Sequence, residues 1–206
     1  MPSDSDLPID AVITWVDGQD PAHQAKLDAY TISLGGTRPR TASPTRFHNS
    51  GEINYCIKSL LRFAPWLRNI YIVTDNQTPE IVYKLHGSRF SSRIKVIDHR
   101  DIFVGYESAL PTFNTRSITT MLWRIPGLSE NFLYLNDDFL LIRPCSPENF
   151  FYDNKIILRG EWRTMSGDRG AMSHFFEKLF SVKRQSAQKR VSYSMAQQLA
   201  AKLLGF

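Results

Sequence analysis

Three short runs rich in β-branched residues constrain this chain more than any other feature: IDAVITWV at 9–16, IYIVT at 70–74 and IKVI at 94–97. The first two read as buried strands, the first on both faces as in a parallel sheet, and the third as a further strand of the same kind of run. Each also runs straight into an acidic residue, at Asp17, Asp75 and Asp98. In open α/β sheets the carboxyl ends of the strands are where ligands bind. The same chemistry at three such ends predicts one polar cleft rather than three unrelated turns.

The segments between these runs read as helices. Asp20-Pro21 supplies a cap and a first-turn proline for a helix to about residue 30. Asn49 with Glu52 three residues on reads as a capping box, followed by Ile53, Ile57, Leu60 and Leu61 at helical spacing and a stop before Pro65. On that reading Glu52 only satisfies backbone donors. A weaker helix is expected at 79–85. Another, capped by Asn114 or Thr115, carries Ile118, Met121, Leu122 and Ile125 on one face and ends at Pro126-Gly127. Strand and helix alternating in this way is the pattern of an α/β domain with a largely parallel sheet.

The fourth strand candidate, FLYLNDDFLLI at 132–142, is interrupted by Asn136, Asp137 and Asp138. An unpaired buried carboxylate is expensive, so this pair predicts either a strand end facing a cleft and a cation, or a tight turn. A short edge strand at 155–158 follows. Residues 31–46 are rich in Gly, Pro, Ser and Thr and carry Arg38, Arg40 and Arg46, which suit either phosphate or solvent. Helical patterns at 174–182 and 194–204 complete the chain.

A length of 206 residues suits one sizeable domain. We divide it into a core at 1–158 and a basic helical segment at 159–206. The net charge of +5 is concentrated in the latter, where nine Lys or Arg stand against Glu161, Asp168 and Glu177. Such a tail suits a membrane surface or an anionic polymer, or is simply a solvated helix face. No apolar stretch approaches the ~20 residues that span a bilayer, and MPSDSDLP lacks the features of a signal peptide. The expected location is the cytoplasm, with peripheral contact at the inner face of the membrane. Cys56 and Cys145 show no metal or redox spacing, and Cys56 reads as a small core residue.

Together, IDAVITWVDGQDP, RFHNSGEINYCIKSLLRFAPWLRNIYIVTDNQTP, IKVIDHRDIF and LPTFN with RIPGLSENFLYLNDDFLLIRPCSPENFF closely resemble the first two conserved regions of the Stealth family of hexose-1-phosphate transferases. The resemblance implies a GT-A-like, Rossmann-like nucleotide-sugar transferase core. It makes Asp137 and Asp138 ligands for Mg²⁺ or Mn²⁺, and sets Trp15, Val16, Asp17 and Gly18 beside the nucleotide. Asn114 matches a TFN motif and His99 the histidine after the third strand; Asp75 and Arg46 join the nucleotide-binding set. His99 is the candidate base, because imidazole titrates near neutrality, and Arg116 a candidate phosphate contact.

The implied reaction moves a sugar-1-phosphate from a UDP-sugar, UDP-GlcNAc or similar, to a hydroxyl of a capsular or cell-surface polysaccharide, releasing UMP. Nucleic acid is not an expected partner. A conventional glycosyltransferase releasing UDP and an inactive nucleotide-sugar-binding module are the alternatives. The resemblance stops before the family's third and fourth regions, so a fragment or a natural truncation is expected.

Overall fold

The computed structural model describes residues 8–38, 42–43, 47–153 and 155–160. Its sheet is built from β1 (Ile9–Thr14), β2 (Ile70–Thr74), β3 (Ile94–Asp98) and β4 (Asn131–Asn136), in the order β3-β2-β1-β4 with every pair parallel. The chain therefore winds outward from β1 through β2 to β3 and returns to the other side of β1 for β4. The topological switch, where open α/β sheets carry ligands, lies between the carboxyl ends of β1 and β4.

Helices α1 (Pro21–Ser33), α2 (Glu52–Phe63), α3 (Glu80–Lys84), α4 (His99–Ile102) and α5 (Thr115–Thr119) fill the crossovers. Alternate residues of the central strands divide between two apolar layers. Ala11, Ile13, Ile70 and Ile72 pack on one face with Ile53, Cys56, Ile57, Leu60 and Leu61 of α2. Val12, Tyr71 and Val73 pack on the other with Ile102, Phe103, Leu122 and Ile125. Burial on both faces holds for β1 and β2, whereas the outer strands β3 and β4 are only partly buried; each apolar side chain removed from water contributes about 1.5–3 kcal/mol. Cys56 is buried in this core, as expected.

One polar residue sits inside β1 without breaking it. Asp10 is fully buried, and Arg68 grips its carboxylate with Nε at 3.0 Å and Nη2 at 2.6 Å. The backbone N–H groups of Asn69 and Ser129 also donate to it. It thus ties the entries of β2 and β4 to β1, at the end of the sheet away from the switch.

Several local expectations are corrected. The cap of α2 is Gly51, in the left-handed region at φ 84°, while Asn49 Oδ1 accepts from Gly51 N in a turn of its own. The helix expected to reach Ile125 is α-helical only to Thr119 and then tightens into a 3-10 turn at Leu122–Arg124. Thr119 and Thr120 bond back to the carbonyls of Thr115 and Ser117, a local competitor of helical pairing.

Strand β4 ends at Asn136, so the run 139–142 is not a buried strand: Phe139, Leu140 and Ile142 are exposed, and only Leu141 packs into the core. The edge strand expected at 155–158 is β6 (Lys155–Ile156), paired antiparallel with β5 (Phe151–Tyr152). The helical patterns at 174–182 and 194–204, and Arg40 and Arg46, lie outside the described residues.

Candidate active site

A cleft of about 490 Å³ opens at the carboxyl ends of the strands. Its wall is assembled from sequentially remote pieces. Thr14, Trp15 and Val16 come from the end of β1, Val73 and Asp75 from β2, and His99 from just past β3. Asn136, Asp137 and Asp138 come from the end of β4. Thr112, Phe113, Thr115 and Ile118 close it around α5, and Phe47, His48 and Glu52 lead into α2. Its volume falls within the range of small-molecule sites.

Asp137 and Asp138 occupy a turn closed by Phe139 N donating to the Asn136 carbonyl at 3.2 Å. The two expectations for NDD are thus compatible, because the turn is what delivers the carboxylates to the cleft. Burial pushes the Asp137 carboxyl up to about 6, and repulsion from Asp138 and Glu52 acts in the same direction. Glu52 stays ionised, its carboxylate held below the usual range by its own backbone N–H and that of Ser50. Cys56 lies behind this corner, its thiol pushed up to about 12 by burial and the two aspartates.

Asp137 and Asp138, with Glu52 on the same cleft, offer oxygen donors. That set suits a hard divalent cation, which takes one or two carboxylates and completes its shell with water and phosphate. Among the described residues no cluster of three or more His, Cys, Asp or Glu forms a self-sufficient metal cage. The two aspartates would need a bound ligand to complete a metal's shell.

The opposite side is balanced. Asp75 pairs with Lys26 of α1 at 2.8 Å. His99 is buried nearby, and burial lowers its affinity for a proton against the opposing pull of Asp75 and Asp98. Burial thus favours the uncharged imidazole.

The remaining expected residues fall elsewhere. Asp98 caps α4 by accepting from Arg100 N at 2.8 Å and also receives Asn76 N, so only Asp75 of the three acidic strand ends lines the cleft. Asp17 Oδ1 accepts from Gln19 N at 2.9 Å. The backbone of Asp17 is held by the buried side chain of Gln77, which accepts from its N–H and donates to its carbonyl, both at 2.9 Å.

Gly18 borders a neighbouring cavity of about 320 Å³ and donates to the Phe47 carbonyl at 2.9 Å. A Cβ there would stand 2.4 Å from Phe47 Cβ, so glycine permits this close approach. Asn114 caps α5 through Arg116 N, and its neighbours Thr112, Phe113 and Thr115 are the ones that line the cleft. Arg116 is exposed on α5, outside the cleft lining.

Sequence reasoning passed over His23, Phe47, Phe113 and Gln77. Their places depend on tertiary contacts that no local pattern announces. Glu52 carried a signal, but it also served as a cap signal.

Comparison with known proteins places residues 7–35 under the model of Stealth protein CR1, conserved region 1, and residues 46–158 under that of Stealth protein CR2, conserved region 2. Among curated proteins, an exopolysaccharide phosphotransferase of Streptomyces coelicolor is 43% identical over 154 residues, which make up 75% of this chain and 25% of that protein. A capsular polysaccharide phosphotransferase of Actinobacillus suis is 38% identical over 169 residues, 80% of this chain and 44% of that one. Another, of Neisseria meningitidis serogroup B, is 39% identical over 155 residues, 72% of this chain and 39% of that one. The chain thus spans less than half the length of these relatives.

Proposed function

This chain belongs to the Stealth protein family, and from that membership we propose that it carries the donor-binding part of a hexose-1-phosphate transferase acting on a capsular or cell-surface polysaccharide. The observation that carries the reading is the carboxylate corner of Asp137 and Asp138 at the switch point between β1 and β4, in a chain whose relatives are named polysaccharide phosphotransferases. The core is GT-A-like in this reading, and the donor is a UDP-sugar such as UDP-GlcNAc.

Asp137 and Asp138 would hold Mg²⁺ or Mn²⁺, which when bound neutralises the donor's diphosphate. Trp15 and Val16 flank the nucleotide. An acceptor hydroxyl attacks the phosphorus that bears the sugar. A new P–O bond forms to the acceptor, the P–O bond to the uridylyl phosphate breaks, and UMP leaves. The acceptor proton passes to His99, whose burial keeps it neutral beforehand. Such transfers depend mainly on positioning and charge stabilisation. Among the described residues no helix is long and apolar enough to cross a membrane. In this reading the protein works in the cytoplasm, with peripheral contact to the inner face of the membrane through basic side chains.

The test is to incubate the chain with UDP-GlcNAc, Mg²⁺ and acceptor oligosaccharides, and to identify the released nucleotide. UMP with a phosphodiester-linked product is expected. Release of UDP would instead establish a conventional glycosyltransferase, and Mg²⁺-dependent binding without turnover a binding module.

A further inference from the structure

His23 presents an anomaly that the transfer reaction does not use. It lies in the first turn of α1, 4% exposed, and neither Nδ1 nor Nε2 has a hydrogen-bond partner among the described residues. A buried polar group left unpaired is destabilising, so a ring that served only as filler would be better replaced by phenylalanine. Phe47 and Phe113 hold the imidazole edge-on, with ring centroids at 5.1 and 5.4 Å. The residue lines both the cleft and the neighbouring cavity. Trp15, also buried in the cleft wall, has an unpaired indole N–H as well.

The charges around His23 decide what it can meet. Burial disfavours its protonated form; the carboxylates of Asp75, Asp20 and Asp17 lie around it, the cation Lys26 is already paired with Asp75, and Arg38 borders the neighbouring cavity rather than the cleft. A diphosphate is poorly placed against such a group. An uncharged, polar, ring-shaped moiety is well placed, with aromatic walls for its faces and a neutral imidazole offering one donor and one acceptor.

We infer that His23 is a ligand-binding residue that hydrogen-bonds the nucleoside end of the bound nucleotide, leaving the diphosphate to the Asp137 and Asp138 side of the same cleft. A ribose hydroxyl or the imide edge of a pyrimidine supplies the matching donor and acceptor. The inference rests on the reading of the cleft as a nucleotide-sugar site.

Calorimetry on the full chain with Mg²⁺ tests it, using UDP, CDP, GDP, ADP and inorganic pyrophosphate as ligands. His23→Phe should weaken UDP binding about 10-fold or more and leave pyrophosphate binding unchanged, while the unfolding midpoint rises by about 2–4 °C as the unpaired nitrogens disappear. UDP affinity equal to wild type overturns the inference, as does an equal loss for pyrophosphate.

Should the phenylalanine variant unfold more easily, His23→Gln decides the matter. Gln retains a donor and an acceptor, so UDP affinity within about threefold of wild type supports the contact and a larger loss overturns it. Wild-type binding of another nucleoside diphosphate in place of UDP, weakened by His23→Phe, would refute the proposed donor and uphold the role of His23. Failure of the wild type to bind any nucleoside diphosphate overturns the inference.

Discussion

Asp10 and Asp137 stand at opposite ends of parallel strands and meet opposite electrostatic fates. Burial alone would push the Asp10 carboxyl up, but the bonds from Arg68, Ser129 N and Asn69 N outweigh it and hold it below its ordinary value. Its contribution to stability is therefore complete above pH 3.8 and fades as the pH falls through the lower folded-state value. Asp10→Ala strands two amides and a guanidinium, and should cost about 2–3 kcal/mol in denaturant unfolding at neutral pH. Asp137 runs the other way. Its folded-state value of about 6 exceeds the ordinary 3.8, so the folded chain binds the extra proton and stability falls as the pH rises across that window. Asp137→Asn should remove this slope and stabilise the chain at pH 7.5 by about 1–2 kcal/mol after solvent screening, while abolishing Mg²⁺-dependent UDP binding. Asp138→Ala should abolish that binding too, with an unchanged circular dichroism spectrum. Unaltered Mg²⁺ dependence in calorimetry would remove the residue from the metal set. Of Asp10 and Asp137, only Asp137 stands out in the sequence, because it interrupts an apolar run. Asp10 hides inside one, and its satisfaction depends on Arg68 and Ser129, both remote in sequence.

Elements were legible where one dominant periodicity fixed them. Helix α2 carries its apolar stripe from Ile53 to Leu61 and ends before Pro65 as expected, yet it starts after Gly51 rather than Asn49, because Asn49 forms an equally good turn with Gly51. Strand β4 stops short of the apolar residues Phe139 to Ile142, because the turn at Asp137-Asp138 redirects Phe139, Leu140 and Ile142 to the surface. The join between the β1 end and the segment leading to α2 depends on a glycine. Gly18→Ala would force Phe47 outward, breaking the Gly18 N–H bond to its carbonyl and shifting the shared wall of the two cavities. A loss of about 1–3 kcal/mol is expected from the overpacking, together with weaker UDP binding. Thermal unfolding and calorimetry on the one variant would show whether both effects appear.

At the scale of the whole molecule, the order β3-β2-β1-β4 turns local signals into one site. The sequence pattern announced strands that finish near polar groups, but not that β1 and β4 would be neighbours, and that adjacency puts Trp15 and Asp137 on one cleft. A cleft held by several crossovers couples ligand binding to global stability. UDP with Mg²⁺ at about 100 times its dissociation constant should therefore stabilise the chain by about 2.7 kcal/mol in thermal unfolding, and chelation by EDTA should remove most of that gain. The reciprocal bonds between Gln77 and the Asp17 backbone bear on the same coupling. The last backbone bond between β1 and β2 runs from Trp15 N to the Val73 carbonyl, and the Gln77 amide then imitates one further rung of the ladder. A side chain thus lengthens the sheet past its final residue pair. The lip of the cleft is set before any ligand arrives, and binding need not spend entropy on ordering it.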